Sequence, residues 1–162
     1  MGINIFNTDF HEFLISLENS KVEYVLVGGY SVIIHGYNRT TGDLDIFVNP
    51  TEENYKRLLK AFNIFGMSVF DMHLESFVDT NNFDVFEFGR PPVAIDILTK
   101  LKGVDFNLAF QNKIRYDVDE QLSINVLHLN TLILSKKIAG RSKDLNDIEH
   151  LQKNEDSVND NA

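Results

Sequence analysis

The chain has 162 residues, 43% of them hydrophobic, which fits one packed domain and leaves little room for a second core. A net charge of −9 argues against a broad grip on DNA or RNA, which needs clustered Lys and Arg. The absence of cysteine excludes disulfides, thiolate zinc sites and cysteine nucleophiles.

The opening "MGINIFNTDFHEF" has no basic start followed by a long apolar run, and no stretch approaches the ~20 apolar residues of a membrane helix, so a cytoplasmic location is expected. Phe10, Phe13, Leu14 and Leu17 repeat at helical spacing and predict a helix over 8–19. "VEYVLV" (22–27) reads as a buried strand ending at Gly28-Gly29, and "YSVIIHG" as a short helix stopped by Gly36. "LDIFVN" (44–49) is a second strand. The next helix should start with Asn49 as N-cap, Pro50 at its first position and Glu52 as the capping-box acid. "FDVFEFG" and "VAIDIL" are strands separated by "RPP", "RYDVDEQ" is an exposed turn, and "LSINVLHL" is a further strand. Residues 130–139 form a helix ended by Gly140, and "SKDLNDIEHLQ" a last helix capped by Ser142. This gives a single mixed α/β (α+β) domain over 1–152, a central mixed sheet flanked by helices with two helices at the end. The acidic residues 153–162 are expected to form a disordered tail.

Within "VGGYSVIIHGYNRTTGDLDIFV", alternation along a strand puts Asp43 and Asp45 on one face, about 7 Å apart, and Leu44 and Ile46 on the other. Two such carboxylates can converge on a hard cation. An isolated Asp-x-Asp is more often a solvated strand end, and the chain contains a second one at Asp117 and Asp119. Two further features raise its weight. A strand that ends in Gly28-Gly29 and enters a helix exposes N–H groups suited to phosphate, with the Ser31 hydroxyl close by. In "AIDIL", Asp96 is a lone carboxylate between two isoleucines of an otherwise apolar strand.

This pattern resembles the nucleotidyltransferase (polymerase-beta-like) superfamily. Its signature is hydrophobic-Gly-(Gly or Ser), a spacer, Asp-hydrophobic-(Asp or Glu), and a third acid on a later strand. "GYNRTTGDLDI" carries the Arg-x-Thr common in small bacterial members. "LILSKKIAGRSKDLNDIEHL" looks like the lysine-bearing and Lys-Asp-x-x-Asp helices of AbiEii-like toxins and related families. The likeness spans about residues 22–151. It implies that Asp43, Asp45 and Asp96 are catalytic and hold Mg²⁺ (or Mn²⁺), with Asp96 also the base that deprotonates an acceptor hydroxyl. It implies nucleotide contacts from Gly28, Gly29, Ser31, Arg39, Lys137, Lys143 and Asp144. Position 29 departs from the many members that have Ser there.

The resemblance implies transfer of a nucleoside monophosphate from an NTP such as ATP to a hydroxyl on an antibiotic, a tRNA end or a protein. The alternative is a non-catalytic nucleotide-binding or partner-binding module of the same fold, one half of a toxin–antitoxin pair, with an antitoxin or a second copy as partner. Among the other candidates, Lys137 is read as the helix lysine that faces the acids and Lys136 as the solvent-facing one. Arg39 would touch phosphate or pair with Asp43, His35 decorates a helix surface, and no P-loop or GxGxxG occurs.

Overall fold

The computed structural model describes residues 5–160. Along the chain lie α1 (Thr8–Asn19), β1 (Tyr24–Val27), α2 (Gly28–Ile34), β2 (Asp43–Val48), α3 (Glu52–Phe65) and α4 (Leu74–Val78). They are followed by β3 (Val85–Arg90), β4 (Val93–Leu98), α5 (Phe106–Gln111), β5 (Ile114–Asp117), β6 (Ser123–Val126), α6 (Leu129–Ala139) and α7 (Ser142–Asp160). The strands form one six-stranded sheet in the order β3-β4-β2-β1-β6-β5. The β1–β6 and β2–β4 pairs are parallel, and the others are antiparallel.

Strand alternation assigns the two faces of this sheet. Tyr24, Leu26, Leu44, Ile46, Val48, Ile95 and Ile97 point to the side covered by α1 and α3, where Phe10, Phe13, Leu17, Leu58 and Phe62 complete the larger core. Val25, Val27 and Phe47 point the other way, against Phe106 of α5, Leu132 and Ile133 of α6, and Ile148 and Leu151 of α7. Asp43 and Asp45 share the parity of Phe47, so they emerge on this second face. Leu98 also packs there, which puts Asp96 on the same side.

Several local expectations are corrected. The N-cap of the third helix is Thr51, whose hydroxyl accepts from the Asn54 amide at 3.2 Å, so the helix starts two residues later than Asn49 suggests. Asn54 is fully buried, and its carboxamide ties Glu23 and Asn49 to the helix start. "RYDVDEQ" is not only a turn, because Ile114–Asp117 forms β5. Two short helices, α4 and α5, were not anticipated. Helix α7 runs through Asp160, so the stretch from 153 onward, expected to be a tail, is helical in backbone; residues 161–162 lie outside the described residues. Among the described residues no helix is long and apolar enough to cross a membrane.

Candidate active site

The site begins at the bend where β1 becomes α2. Gly28 has φ +69°, a conformation that favours glycine, and a methyl group added to it would overlap the Asp45 carboxyl, with the Asp45 Cγ only 2.8 Å away. The missing side chain is therefore what lets the turn lie directly on Asp45. Gly29 is constrained differently. A methyl group there would overlap the Thr41 side chain, whose Cβ would stand 2.7 Å away. The loop before the acids thus fills the space that a serine at 29 would need, which accounts for glycine at that position. Gly29→Ser is expected to cost about 1–3 kcal/mol by overpacking. Adding Thr41→Ala should recover most of that loss, and thermal unfolding of the single and double variants checks both.

Asp45 lies opposite Asp96 across the parallel β2–β4 pair, so their side chains rise together. The two carboxyls lie close enough to form a hydrogen bond when one of them is protonated. Burial, then the Asp96 charge and that hydrogen bond, push Asp45 up to about 7, with Asp43 adding to the rise and Lys136 opposing it. Asp96 is also raised, chiefly by burial and further by Asp43 and Glu87, while its hydrogen bond from Asp45 pulls the other way. Asp43 is exposed at the start of β2. Glu87, absent from the sequence reading, lies opposite Asp96 on the antiparallel β3–β4 pair and so shares its face. Finding it required the strand register.

Facing the acids is a cationic cluster built from α6, α7 and the loop before β2. Lys136 is 7% exposed and its Nζ lies 3.1 Å from both Asp144 Oδ1 and Asp147 Oδ2. Arg39 reaches Asp147 at 2.9 Å through Nε and 3.1 Å through Nη2. Arg141 donates from Nε to Asp144 at 2.7 Å. Burial works to raise Asp144, but hydrogen bonds from Arg141 and Lys136 outweigh it and hold the carboxyl below its ordinary value. Three cations thus meet two buried carboxylates, leaving positive charge directed at Asp45. A cavity of about 140 Å³ lies between the two clusters, lined by Gly28, Asp45, Leu98, Lys136, Arg141 and Asp144 among others. Tyr37 stacks on His150 at 3.9 Å, and Asn146 donates to its hydroxyl, which fastens the Arg39 loop to α7.

The geometry sorts the expected residues. Gly28, Asp45 and Asp144 line this cavity, Asp96 lies opposite Asp45, Asp43 is two residues before it on the same strand face, and Arg39 joins the cluster through Asp147, while Gly29 packs on Thr41. The lysine assignment is reversed: Lys136 faces inward and Lys137 is exposed. Lys143 is also exposed, on the outer side of the first turn of α7. Ser31 is fully buried and donates to the Gly28 carbonyl at 2.6 Å, so its hydroxyl holds the turn together from inside. Arg39 pairs with Asp147 rather than Asp43. His35 is not a surface decoration, since its Nε2 lies 2.7 Å from the Leu127 carbonyl and burial lowers its pKa. Arg141 was missed, although a basic residue three before Asp144 at a helix start is a legible pairing signal.

No curated protein matches the sequence. Among solved structures, the fold resembles the crystal structure of the lincosamide antibiotic adenylyltransferase LnuA bound to lincomycin. The likeness has a TM-score of 0.54 at 17% identity, over 93% of this chain and 98% of that one. Residues 5–155 match the family described as "Nucleotidyltransferase of unknown function (DUF6036)". With its glycine turn lying on paired strand aspartates, the chain belongs to this family of nucleotidyltransferases.

Proposed function

We propose that the protein is an active, single-domain, divalent-metal-dependent enzyme that moves a nucleoside monophosphate from an NTP to a hydroxyl acceptor, with Asp43, Asp45 and Asp96 at its centre. The observation that carries this reading is the placement of Asp45 directly opposite Asp96 on one face of the sheet, against the Gly28 turn and across a cavity from Lys136 and Arg141. Two carboxyls held so close resist ionising together, and a cation between them relieves that repulsion.

The donor set fits a hard cation in kind, being all oxygen. Among the described residues no group of three His, Asp or Glu side chains converges tightly enough to hold an ion alone. A Mg²⁺ ion would therefore rest on Asp45 and Asp96, with Asp43 at the rim, and complete its shell from phosphate oxygens and water, as Mg²⁺ commonly does. When bound, it would supply charge neutralisation for the phosphates.

The chain's own groups supply the rest. Lys136 and Arg141 line the cavity beside Asp45 and would hold the anionic phosphates, while Asp144 and Asp147 fix both the lysine and Arg39. The Asp96 carboxylate would accept the acceptor's proton as the hydroxyl oxygen bonds the α-phosphorus. The α–β bridging bond then breaks and pyrophosphate leaves with the electron pair.

Isothermal titration with each NTP, in Mg²⁺ and in chelator, tests the metal step. Affinity should rise at least about tenfold with Mg²⁺, equivalent to ~1.4 kcal/mol. Identical affinities would remove the metal from the reading. Label transfer from α-labelled NTP to cell extract, abolished by Asp96→Asn in a variant that melts no lower than the parent, tests the chemistry.

A further inference from the structure

The sheet ends at β3, which pairs with β4 on one side and with no strand on the other. Hydrogen-bond parity shows which backbone groups are left over. Asp84 stands opposite Thr99, one step before the Val85–Leu98 pair, and its carbonyl accepts from the Thr99 amide at 3.0 Å. Bonded and non-bonded pairs alternate along an antiparallel ladder, so Phe86 and Phe88 also bond to β4. Val85 and Glu87 therefore turn their N–H and C=O groups outward. Among the described residues, no other strand or loop backbone bonds to them.

Little on this edge prevents pairing. β3 has six residues with no Lys or Pro among them, whereas the other edge, β5, has four and an arginine, Arg115, held by Glu18 of α1 at 3.0 Å. A groove of about 320 Å³ lies beside β3, lined by residues 85–88 of the strand and residues 69–72 of the preceding loop. Extended chain fits such a slot, where main-chain bonds to the edge give affinity and the flanking side chains give selectivity.

The surface around the edge has a consistent chemistry. Phe70, Phe83 and Val85 are 67%, 46% and 42% exposed. Residues 61–89 carry Asp71, Glu75, Asp79, Asp84 and Glu87 and no Lys or Arg. Single exposed apolar residues are ordinary, but a group of them along an open strand edge suits a partner chain. Charge decides which partner. The acids repel nucleic acid, and they repel a second copy of this chain, whose net charge is −9.

We propose that the β3 edge docks an extended segment of a basic partner protein, which joins the sheet as a further strand through the outward groups of Val85 and Glu87. The segment combines Lys or Arg, drawn by Asp71, Asp84 and Glu87, with apolar residues that cover Phe70 and Val85. This holds whether or not the protein transfers nucleotides.

Selection from a phage-displayed library of random linear peptides on the full chain, then titration of the best synthetic peptide, tests the proposal. Selected peptides should be rich in Lys or Arg and in apolar residues. In the free chain the Val85 and Glu87 amides should exchange hydrogen faster than those of Phe86 and Phe88, and the peptide should slow them. Val85→Pro removes one outward N–H without touching a bond to β4, and should weaken the peptide about tenfold or more. Val85→Lys, at an exposed position, should weaken it similarly by charge, which guards against a folding fault in the proline variant. Leu145→Lys, exposed on α7, should leave the affinity unchanged. Enrichment of acidic peptides or of none, equal affinity in the parent and both Val85 variants, or unchanged exchange at Val85 and Glu87 would each overturn the proposal. Light scattering that finds a dimer of the parent, made monomeric by either Val85 variant, would overturn it in favour of self-pairing.

Discussion

Asp45→Asn is expected to abolish nucleotidyl transfer and, at the same time, to make the metal-free protein more stable above neutral pH. Losing a carboxylate that holds charge against the transferring phosphate should cost about 10³-fold in rate, the equivalent of several kcal/mol. The stability gain follows from linkage. Asp45 is raised from 3.8 to about 7 in the folded chain, so the native state holds its proton where the unfolded chain has released it. Its contribution is fully present below about pH 4 and is lost as pH rises through 7. The penalty approaches ~4 kcal/mol for three units, and about 2 kcal/mol once the solvent reaching the pair is allowed for. Asparagine carries no charge and can still donate to Asp96. In chelator at about pH 8 the variant should therefore melt several degrees above the parent, since ~1 kcal/mol is worth about 2–4 °C in a chain of this size. The gap should close toward pH 4. A variant that is inactive and equally stable at both pH values would show that Asp45 carries no buried-charge cost. A site that destabilises its own fold in this way is built for a ligand.

The parts of this site that obey strand alternation could be read from the sequence. Asp43 and Asp45 flank Leu44 at period two, and Asp96 sits between two isoleucines, so their faces follow from parity alone. The glycine turn was legible only in combination with the acids, since Gly-Gly between a strand and a helix serves packing as readily as phosphate, and Gly29 here does pack on Thr41. What could not be read depended on pairing. Glu87 joins Asp96 only through the β3–β4 register, and Thr41 explains Gly29 only once the loop has folded back onto α2. The cap at Thr51 was missed because Asn49, Thr51 and Glu52 all suit a helix start, and only the buried carboxamide of Asn54 decides among them. The short helices α4 and α5, five and six residues long, offer too few turns for a periodic signal.

The lysine error has its own physical cause, and it sets up the second large effect. Helix α6 is apolar nearly all round, with Leu134 and Ile138 exposed and Leu132 and Ile133 buried, so its sequence does not fix which face is inward. The phase is set by Leu132, since Lys136 follows it at i+4 and falls on the same buried stripe. There it answers Asp144 and Asp147, which are 0% and 1% exposed. Lys136→Met fills similar space but removes the one ammonium shared by both carboxylates. Arg141 still serves Asp144 and Arg39 still serves Asp147, but neither replaces the missing donor. Removing one partner from a buried ion cluster costs about 3–5 kcal/mol. The variant should melt about 10 °C lower, at ~2–4 °C per kcal/mol, and should also bind NTP more weakly. Lys137→Ala, one residue along and exposed, should stay within about 0.5 kcal/mol of the parent. The two consequences of Lys136 can be separated with Asp147→Asn. In the Lys136→Met background it removes one stranded charge, so it should restore part of the stability while leaving NTP binding weak. Recovery of both together would mean that the lysine acts on nucleotide only by holding the fold, whereas recovery of stability alone places its charge in contact with phosphate.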